Sequence, residues 1–277
     1  MPDVTKTTDA PPVEVSNGRF AVFGGIYNNH VSLKATIDDA RKCGVDGLIC
    51  LGDMGGFGPS PDRVFPLIRD VDDIWVMQGN YDHSIGHRLD DCACGYTDPR
   101  DNHFAQISYD YTLEKTSDDH KDWLRDLPTE FRSNWSGRRV LMAHGSPRRV
   151  NEFLWESTTS DAFLAYLLEE HEADVLFVTH TGIPWKRRLP GGGLVVNVGA
   201  IGRPANDGRT AVDYALVEVV DGGIEVSFRS VDYKDQQLAR EMRSEGLPEE
   251  FVETIQTGWW TTCLEILPAK ERARGKY

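Results

Sequence analysis

The sequence predicts a layered α/β domain with mixed sheets. Three observations point there: short apolar runs that each end in a glycine-rich or polar turn, helical periodicity between them, and a late change to paired β-rich runs.

Residues 19–23 lead into Gly24-Gly25, residues 47–51 into Gly52-Asp53, and residues 74–77 toward Gly79-Asn80. Further on, residues 139–143 lead to His144-Gly145, residues 174–178 to Thr179-His180, and residues 194–196 to Asn197-Val198-Gly199. Runs of this length suit strands covered on both faces. Between them, residues 30–43 place Val31, Leu33, Ile37 and Ala40 on one helical side, and residues 61–70 do the same with Val64, Phe65 and Ile68. Ser117 reads as the N-cap of a helix carrying Trp123 and Leu124, and Ser160 as the cap of a helix over residues 162–171. Residues 214–231 read as a hairpin around Asp221-Gly222-Gly223, and residues 235–258 are helical again. The organisation expected is a flexible tail over residues 1–18, rich in Thr, Asp and Pro, a single domain over 19–268, and a polar, basic tail over 269–277. Residues 92–111 interrupt the strand–helix rhythm and read as a cap that shapes substrate choice.

Bulk composition narrows the function. Of 277 residues, 40% are hydrophobic and 27% charged, enough to bury a sizeable core. No stretch approaches the roughly 20 apolar residues of a membrane span, and the start lacks an apolar leader core. A cytoplasmic location with no membrane partner is expected. The formal charge of −14 repels nucleic-acid backbones, so no nucleic-acid partner is expected either. Cys43, Cys50, Cys92, Cys94 and Cys263 are an odd set without framework spacing and are expected as reduced thiols. One Cys-x-Cys without a second pair is weak evidence for a soft-metal site.

The chemistry-bearing residues sit where strands end, the usual place for ligand sites in open α/β sheets. Asp53, Asn80, His144 and His180 each follow a different predicted strand. A lone strand-end histidine is usually a satisfied structural residue, but a carboxylate, an amide oxygen and two imidazoles together suit a borderline divalent ion such as Mn, Fe, Co or Zn.

The motifs are more specific. Leu51-Gly52-Asp53-Met54-Gly55-Gly56, Gln78-Gly79-Asn80-Tyr81-Asp82, Ala143-His144-Gly145-Ser146-Pro147 and Val178-Thr179-His180-Thr181-Gly182-Ile183-Pro184 occur in order, followed by Asn197-Val198-Gly199-Ala200-Ile201-Gly202-Arg203-Pro204. Together they resemble the second to fifth motifs, and the segment after them, of the calcineurin-like phosphoesterases. The resemblance implies a four-layer α/β/β/α sandwich with two mixed sheets and a two-metal site at the strand ends. It also locates a departure. The family's first motif, Asp-x-His-Gly-Asn, is here Gly25-Ile26-Tyr27-Asn28-Asn29, and the second histidine of the fifth motif is Gly182. By the family pattern these are the ligands private to the first metal. Asp53, Asn80, His144 and His180, the second metal's set, all remain.

The resemblance therefore implies a metal-dependent phosphoric-ester hydrolase with a reduced, mononuclear site holding one divalent transition metal, a second being doubtful, and a small phosphorylated substrate. Tyr81 and Asp82 stand where the family places its proton donor and the acid that orients it. Arg148 and Arg149 are the phosphate-binding candidates, since guanidinium forks match phosphate oxygens. Lys186, Arg187, Arg188 and Arg203 are further basic residues beside the motifs, and Tyr27 packs or contacts substrate. Tyr27, His30, His83 and the Cys92/Cys94 pair are the candidates for refilling the lost half. The rival reading is a catalytically weak or inactive protein of the same fold that binds a phosphorylated ligand in a regulatory role.

Overall fold

A computed structural model describes residues 11–276, and their strands fall into two sheets. In chain order the elements begin with β1 (Glu14–Val15), β2 (Gly18–Phe23), α1 (His30–Lys42) and β3 (Gly47–Cys50). A 3-10 turn (Pro61–Arg63) precedes α2 (Phe65–Arg69), β4 (Ile74–Val76), α3 (Asn80–Gly86), α4 (Pro99–Lys115) and α5 (Asp118–Arg125). Next come β5 (Glu130–Trp135), β6 (Arg138–Ala143), α6 (Asp161–Glu170), β7 (Val175–Val178), β8 (Trp185–Arg188) and β9 (Leu194–Asn197). The chain closes with β10 (Val212–Val220), β11 (Gly223–Val231), α7 (Asp235–Ser244), α8 (Glu249–Thr257) and α9 (Ala269–Arg274).

Both sheets are mixed. One runs β1-β5-β6-β7-β9-β8, with β6, β7 and β9 parallel, and the other runs β11-β10-β2-β3-β4, with β2, β3 and β4 parallel.

Alternation along the strands sets the layering, because successive strand residues face opposite sides. Phe20 and Val22 of β2 turn toward Phe131, Trp135, Met142 and Phe177 of the other sheet, which forms the core between the sheets. Ala21 and Phe23 turn the other way, onto Leu33, Ile37 and Ala40 of α1 and Phe65 and Ile68 of α2. On the far side, Leu141, Leu176 and Val195 pack on Leu164, Leu167 and Leu168 of α6. Helix, sheet, sheet and helix are thus four layers in the expected order. Trp135 centres the middle layer, stacked on Phe20 at 5.0 Å between ring centroids and tilted against Phe177 at 5.8 Å.

Several local expectations are corrected. The expected N-terminal tail ends sooner, because Glu14 and Val15 pair in parallel with β5 and Val15 is buried; residues 1–10 of that tail lie outside the described residues. Residues 61–70 split at Val64, because Pro66 lacks the N–H a continuous helix would use. Residues 235–258 form two helices, interrupted where Gly246 turns at φ 72° ahead of Pro248. Much of the expected cap is the 17-residue α4, capped by the Asp98 side chain, which accepts from the Arg100 N–H. The basic C-terminal segment forms α9, tied back by Glu271, whose carboxylate accepts from the Ser157 backbone N–H at 2.8 Å. The expectation of five reduced thiols fails at one pair: Cys92 and Cys94 are joined as a disulfide, while Cys43, Cys50 and Cys263 are free. Sequence spacing gave no second pair, and the turn at Ala93 (φ 49°) is what brings these two together.

Candidate metal centre

Four strand ends from both sheets carry the predicted ligands. Asp53 follows β3, Asn80 opens α3 after β4, His144 follows β6 and His180 follows β7. One ligand atom from each of Asp53, His144 and His180 lies within 4.8 Å of the others. Asp53 and His180 both adopt left-handed backbone, φ 59° and 64°, a conformation that costs an ordinary residue free energy and concentrates at functional sites. Gly79 has to be bare, since a Cβ there would come within 2.3 Å of Asp53 Oδ1 and 2.8 Å of His144 Cε1.

Hydrogen bonds aim the ligand atoms inward. The Nδ1–H of His144 donates to the Leu51 carbonyl at 2.6 Å, which leaves Nε2 as a lone-pair acceptor facing the cluster. That Nε2 lies 3.2 Å from Asp53 Oδ2 and 3.2 Å from His180 Nδ1. Asp53 Oδ1 accepts from the Tyr81 N–H at 3.0 Å, so the carboxylate is held from behind. Asn80 is oriented in the same way. Its Nδ2 donates to the Cys92 carbonyl at 2.8 Å, and its Oδ1 is buried with no hydrogen-bond partner. A buried amide oxygen without a donor is costly, and so is the Nε2 lone pair of a neutral His144 set against Asp53 Oδ2 at 3.2 Å. A cation held by these donors removes both penalties, so the donor types fit a divalent ion.

Electrostatics agree with that fit. Burial drives the His180 imidazole down to about 3, helped by the neighbouring His144, which keeps it neutral as a ligand must be. Burial also acts to lower His144, but the charge and hydrogen bond of Asp53, with the bond to Leu51, outweigh it and raise the pKa. In the absence of a metal the site thus draws a proton to the spot a cation would take.

Asp82 braces the loop. Its carboxylate accepts from the backbone N–H groups of Asp53 at 2.6 Å, Met54 at 2.9 Å and Gly79 at 2.8 Å. Burial, then the charge of Asp53, raise its pKa against those three donors. Tyr81 corrects the expectation of a proton donor. Its phenol donates to Ser108 Oγ at 3.1 Å, with the Ala105 carbonyl at 3.4 Å, both on α4, and burial pushes its pKa far up. The hydroxyl is committed to a packing contact, and only the backbone N–H of Tyr81 serves the ligands.

The other predicted residues scatter. Arg148 stacks over Phe163 at 5.3 Å and lies 3.8 Å from Glu152, while Arg149 is exposed. Among the described residues no hydrogen bond or ion pair ties either guanidinium to the four ligands. His30 Nε2 lies 3.3 Å from Glu241, and His83 Nδ1 pairs with Gln78 Oε1 at 3.1 Å, so neither refills the lost half.

Tyr27, Arg203 and Trp260 pack beside Gly25 and Gly182, the positions that depart from the family motifs. A Cβ on Gly25 would meet the Tyr27 phenol, with Cζ at 2.9 Å and the hydroxyl oxygen at 3.0 Å. A Cβ on Gly182 would meet the Trp260 ring at 3.3 Å and Arg203 Nη2 at 3.7 Å. The Arg203 guanidinium lies 3.6 Å from the Trp260 ring centroid, 4.8 Å from Phe57 and 5.8 Å from Tyr27. It is 5% exposed, and its Nε has no hydrogen-bond partner. The polar groups acting on it are the Cys263 thiol and the phenols of Tyr27 and Tyr96, none of them a carboxylate. A desolvated cation–π contact returns about 2 kcal/mol, whereas burying an unpaired ion costs several kcal/mol. The aromatic cage offsets only part of that. Sequence reading marked Arg203 as one basic residue among several and missed Trp260 altogether, for Trp260 belongs to no motif and reaches the site only through the fold.

Residues 20–222 match the calcineurin-like phosphoesterase superfamily domain. The chain is 26% identical over 254 residues to an uncharacterized protein of Methanocaldococcus jannaschii, MJ0912, an alignment covering 86% of this chain and 97% of that one. Its fold is similar to the crystal structure of a metallophosphoesterase from Sphaerobacter thermophilus, at 26% identity and a TM-score of 0.68 over 87% of this chain and 99% of the other. The hypothetical protein PH1004 of Pyrococcus horikoshii OT3 shares the fold at a TM-score of 0.73 and 22% identity, covering 88% and 99% of the two chains. With most of its length matched by the family and with Asp53, His144 and His180 converging at its strand ends, the chain belongs to the calcineurin-like phosphoesterase superfamily.

Proposed function

We propose that this protein hydrolyses a small phosphoric ester at a mononuclear site in which Asp53, Asn80, His144 and His180 hold one divalent transition metal of the Mn, Fe, Co or Zn group. The observation that carries the reading is the buried, partnerless Asn80 Oδ1, oriented by the hydrogen bond that its Nδ2–H donates to the Cys92 carbonyl, in a chain whose Asp53, His144 and His180 already converge. The chemistry such an ion supplies is polarisation of a phosphoryl oxygen and acidification of water.

The chain's own residues do the rest. Asp82 and the Tyr81 N–H lock the loop that presents Asp53, and the Leu51 carbonyl fixes the tautomer of His144. Phe153 lies against the His180 ring at 4.3 Å between centroids, and the Cys92–Cys94 turn covers Asn80, so the ligands are shielded from bulk water. Shielding of this kind strengthens every electrostatic contact inside. Arg148 and Arg149 remain candidates for phosphate contact from outside the ligand cluster.

One observation favours a second reading, a phospholigand-binding protein without turnover: the first metal's half is occupied by Tyr27, Arg203 and Trp260. Metal analysis with turnover assays separates the two. About one equivalent of metal per chain is expected from four ligands, with hydrolysis of generic phosphomonoesters or diesters that chelation abolishes. Two equivalents would sink the mononuclear reading, and one equivalent with no turnover of any ester tried would leave the binding protein.

A further inference from the structure

We propose that the Arg203 guanidinium is the anion-holding cation of this centre, standing in the half from which the first metal's ligands are gone and receiving the oxygens of a phosphoryl group. The proposal rests on the reading of the centre as a phosphoester site and adds to it the residue that engages the anion.

Three observations converge. The first is position. Arg203 Nη2 is 3.7 Å from where a side chain on Gly182 would begin, on the loop that carries His180. Tyr27 bridges it to Asp53: the ring lies 5.8 Å from the guanidinium, and the Tyr27 N–H donates to the Asp53 carbonyl at 3.2 Å. The second is partnering. The side chain is almost wholly buried, Nε has no acceptor, and among the described residues no carboxylate forms an ion pair with the guanidinium, whose polar neighbours are the Cys263 thiol, by hydrogen bond and charge, and the phenols of Tyr27 and Tyr96. Trp260 covers one face of the guanidinium plane, and the N–H donors along the edge of such a fork match a tetrahedral oxyanion, which accepts two at once.

The third is charge. A divalent ion set against the carboxylates of Asp53 and Asp82 leaves no surplus positive charge for an anionic substrate. In a two-metal site the second ion supplies that surplus. Here Arg203 is the buried cation in the corresponding place, and it needs no ligands of its own. A side chain at position 25 would crowd Tyr27, with Cζ 2.9 Å from its Cβ, and one at 182 would begin 3.3 Å from the Trp260 ring, so the space that Asp and His would need there is taken by groups around the guanidinium. Tyr96, which is half-buried, acts on the same guanidinium.

The test titrates inorganic phosphate into the full-length, metal-loaded protein by calorimetry at fixed ionic strength, alongside R203M and R203K, with metal content measured for each. R203M should bind phosphate about tenfold or more weakly, and R203K should fall between it and the parent because Lys keeps the charge but loses the fork. Metal content should be unchanged in both. A folded R203M with the parent's phosphate affinity overturns the proposal. Should R203M fail to fold, R203K decides: affinity at least about threefold weaker supports the proposal, and parental affinity overturns it. The two readings fail separately. Turnover by the parent with phosphate affinity indifferent to residue 203 removes the anion site and keeps the hydrolase. Phosphate held through Arg203 with no turnover keeps the anion site and removes the hydrolase.

Discussion

Tyr81 shows how far a residue's neighbourhood can depart from its motif position. In the motif it follows the ligand Asn80, yet its hydroxyl turns to Ser108 on α4 while its backbone N–H holds Asp53. Tyr81→Phe removes the hydroxyl and spares the N–H. It should cost about 1 kcal/mol of stability, the net worth of one buried hydrogen bond, and leave turnover within about twofold of the parent, since a general acid contributes far more. Loss of turnover by a hundredfold or more in a folded Tyr81→Phe would restore the phenol as proton donor. The ligands should behave in the opposite way. Asn80→Ala and His180→Ala each delete one of four donors and should strip the metal from a folded protein, as read by elemental analysis after gel filtration. Retention of metal by both variants would mean the ion sits elsewhere.

At the scale of elements, α1 is fastened to the sheet edge by a charged clasp. Arg229 of β11 donates to both oxygens of Asp39 on α1, at 2.8 and 2.9 Å, and the Tyr214 hydroxyl of β10 donates to Asp39 as well, at 2.9 Å. The hydrogen bond from Arg229 is the main reason the Asp39 carboxyl is held below its usual range, against a smaller opposing effect of burial. A depressed carboxylate stabilises the fold fully above its unfolded pKa, near ~3.9, and that contribution fades as pH falls through the lower folded value. Arg229→Ala should therefore destabilise by about 1 kcal/mol or less at neutral pH, because the guanidinium is partly exposed and screened by solvent. The deficit should shrink toward zero in melts taken at progressively lower pH, below about 4. A deficit that stays constant through that range would show that the stem of Arg229, packed on the sheet, matters more than its charge.

Across the whole molecule, the layer between the sheets fixes where the strand ends meet. Trp135 sits at its centre, fully buried and bracketed by Phe20 from one sheet and Phe177 from the other. Trp135→Ala should cost about 3–5 kcal/mol, the range for emptying an aromatic site in a packed core. The urea midpoint reports it, and a loss under about 1 kcal/mol would mean the two sheets close over the gap with little penalty. The same packing carries function, since Asp53 and Asn80 come from one sheet, and His144 and His180 from the other. Any slip of sheet on sheet would separate the ligand pairs.

What the sequence determined by itself is local. Each candidate ligand, Asp53, Asn80, His144 and His180, is written next to the turn that presents it and stands out in a short motif, as the parallel strands stand out in the apolar runs before them. The departures from the family's first and fifth motifs were equally plain, because Gly25, Tyr27 and Gly182 stand inside motifs with known forms. The strands β1, β5 and β8 were not legible, being short or polar and held mainly by the neighbours they pair with. Neither was the Cys92–Cys94 link, which depends on the turn at Ala93. Only the tertiary structure decided what replaced the missing ligands. Trp260 and Arg203 come from separate parts of the chain and meet beside Gly182 because the segment after α8 folds back over the strand ends, where the Trp260 Nε1–H donates to the Pro204 carbonyl at 2.7 Å. A motif records which side chains a loop offers. Which distant ring or cation fills the space beside them is set by packing density, since a core leaves no void where ligands have gone.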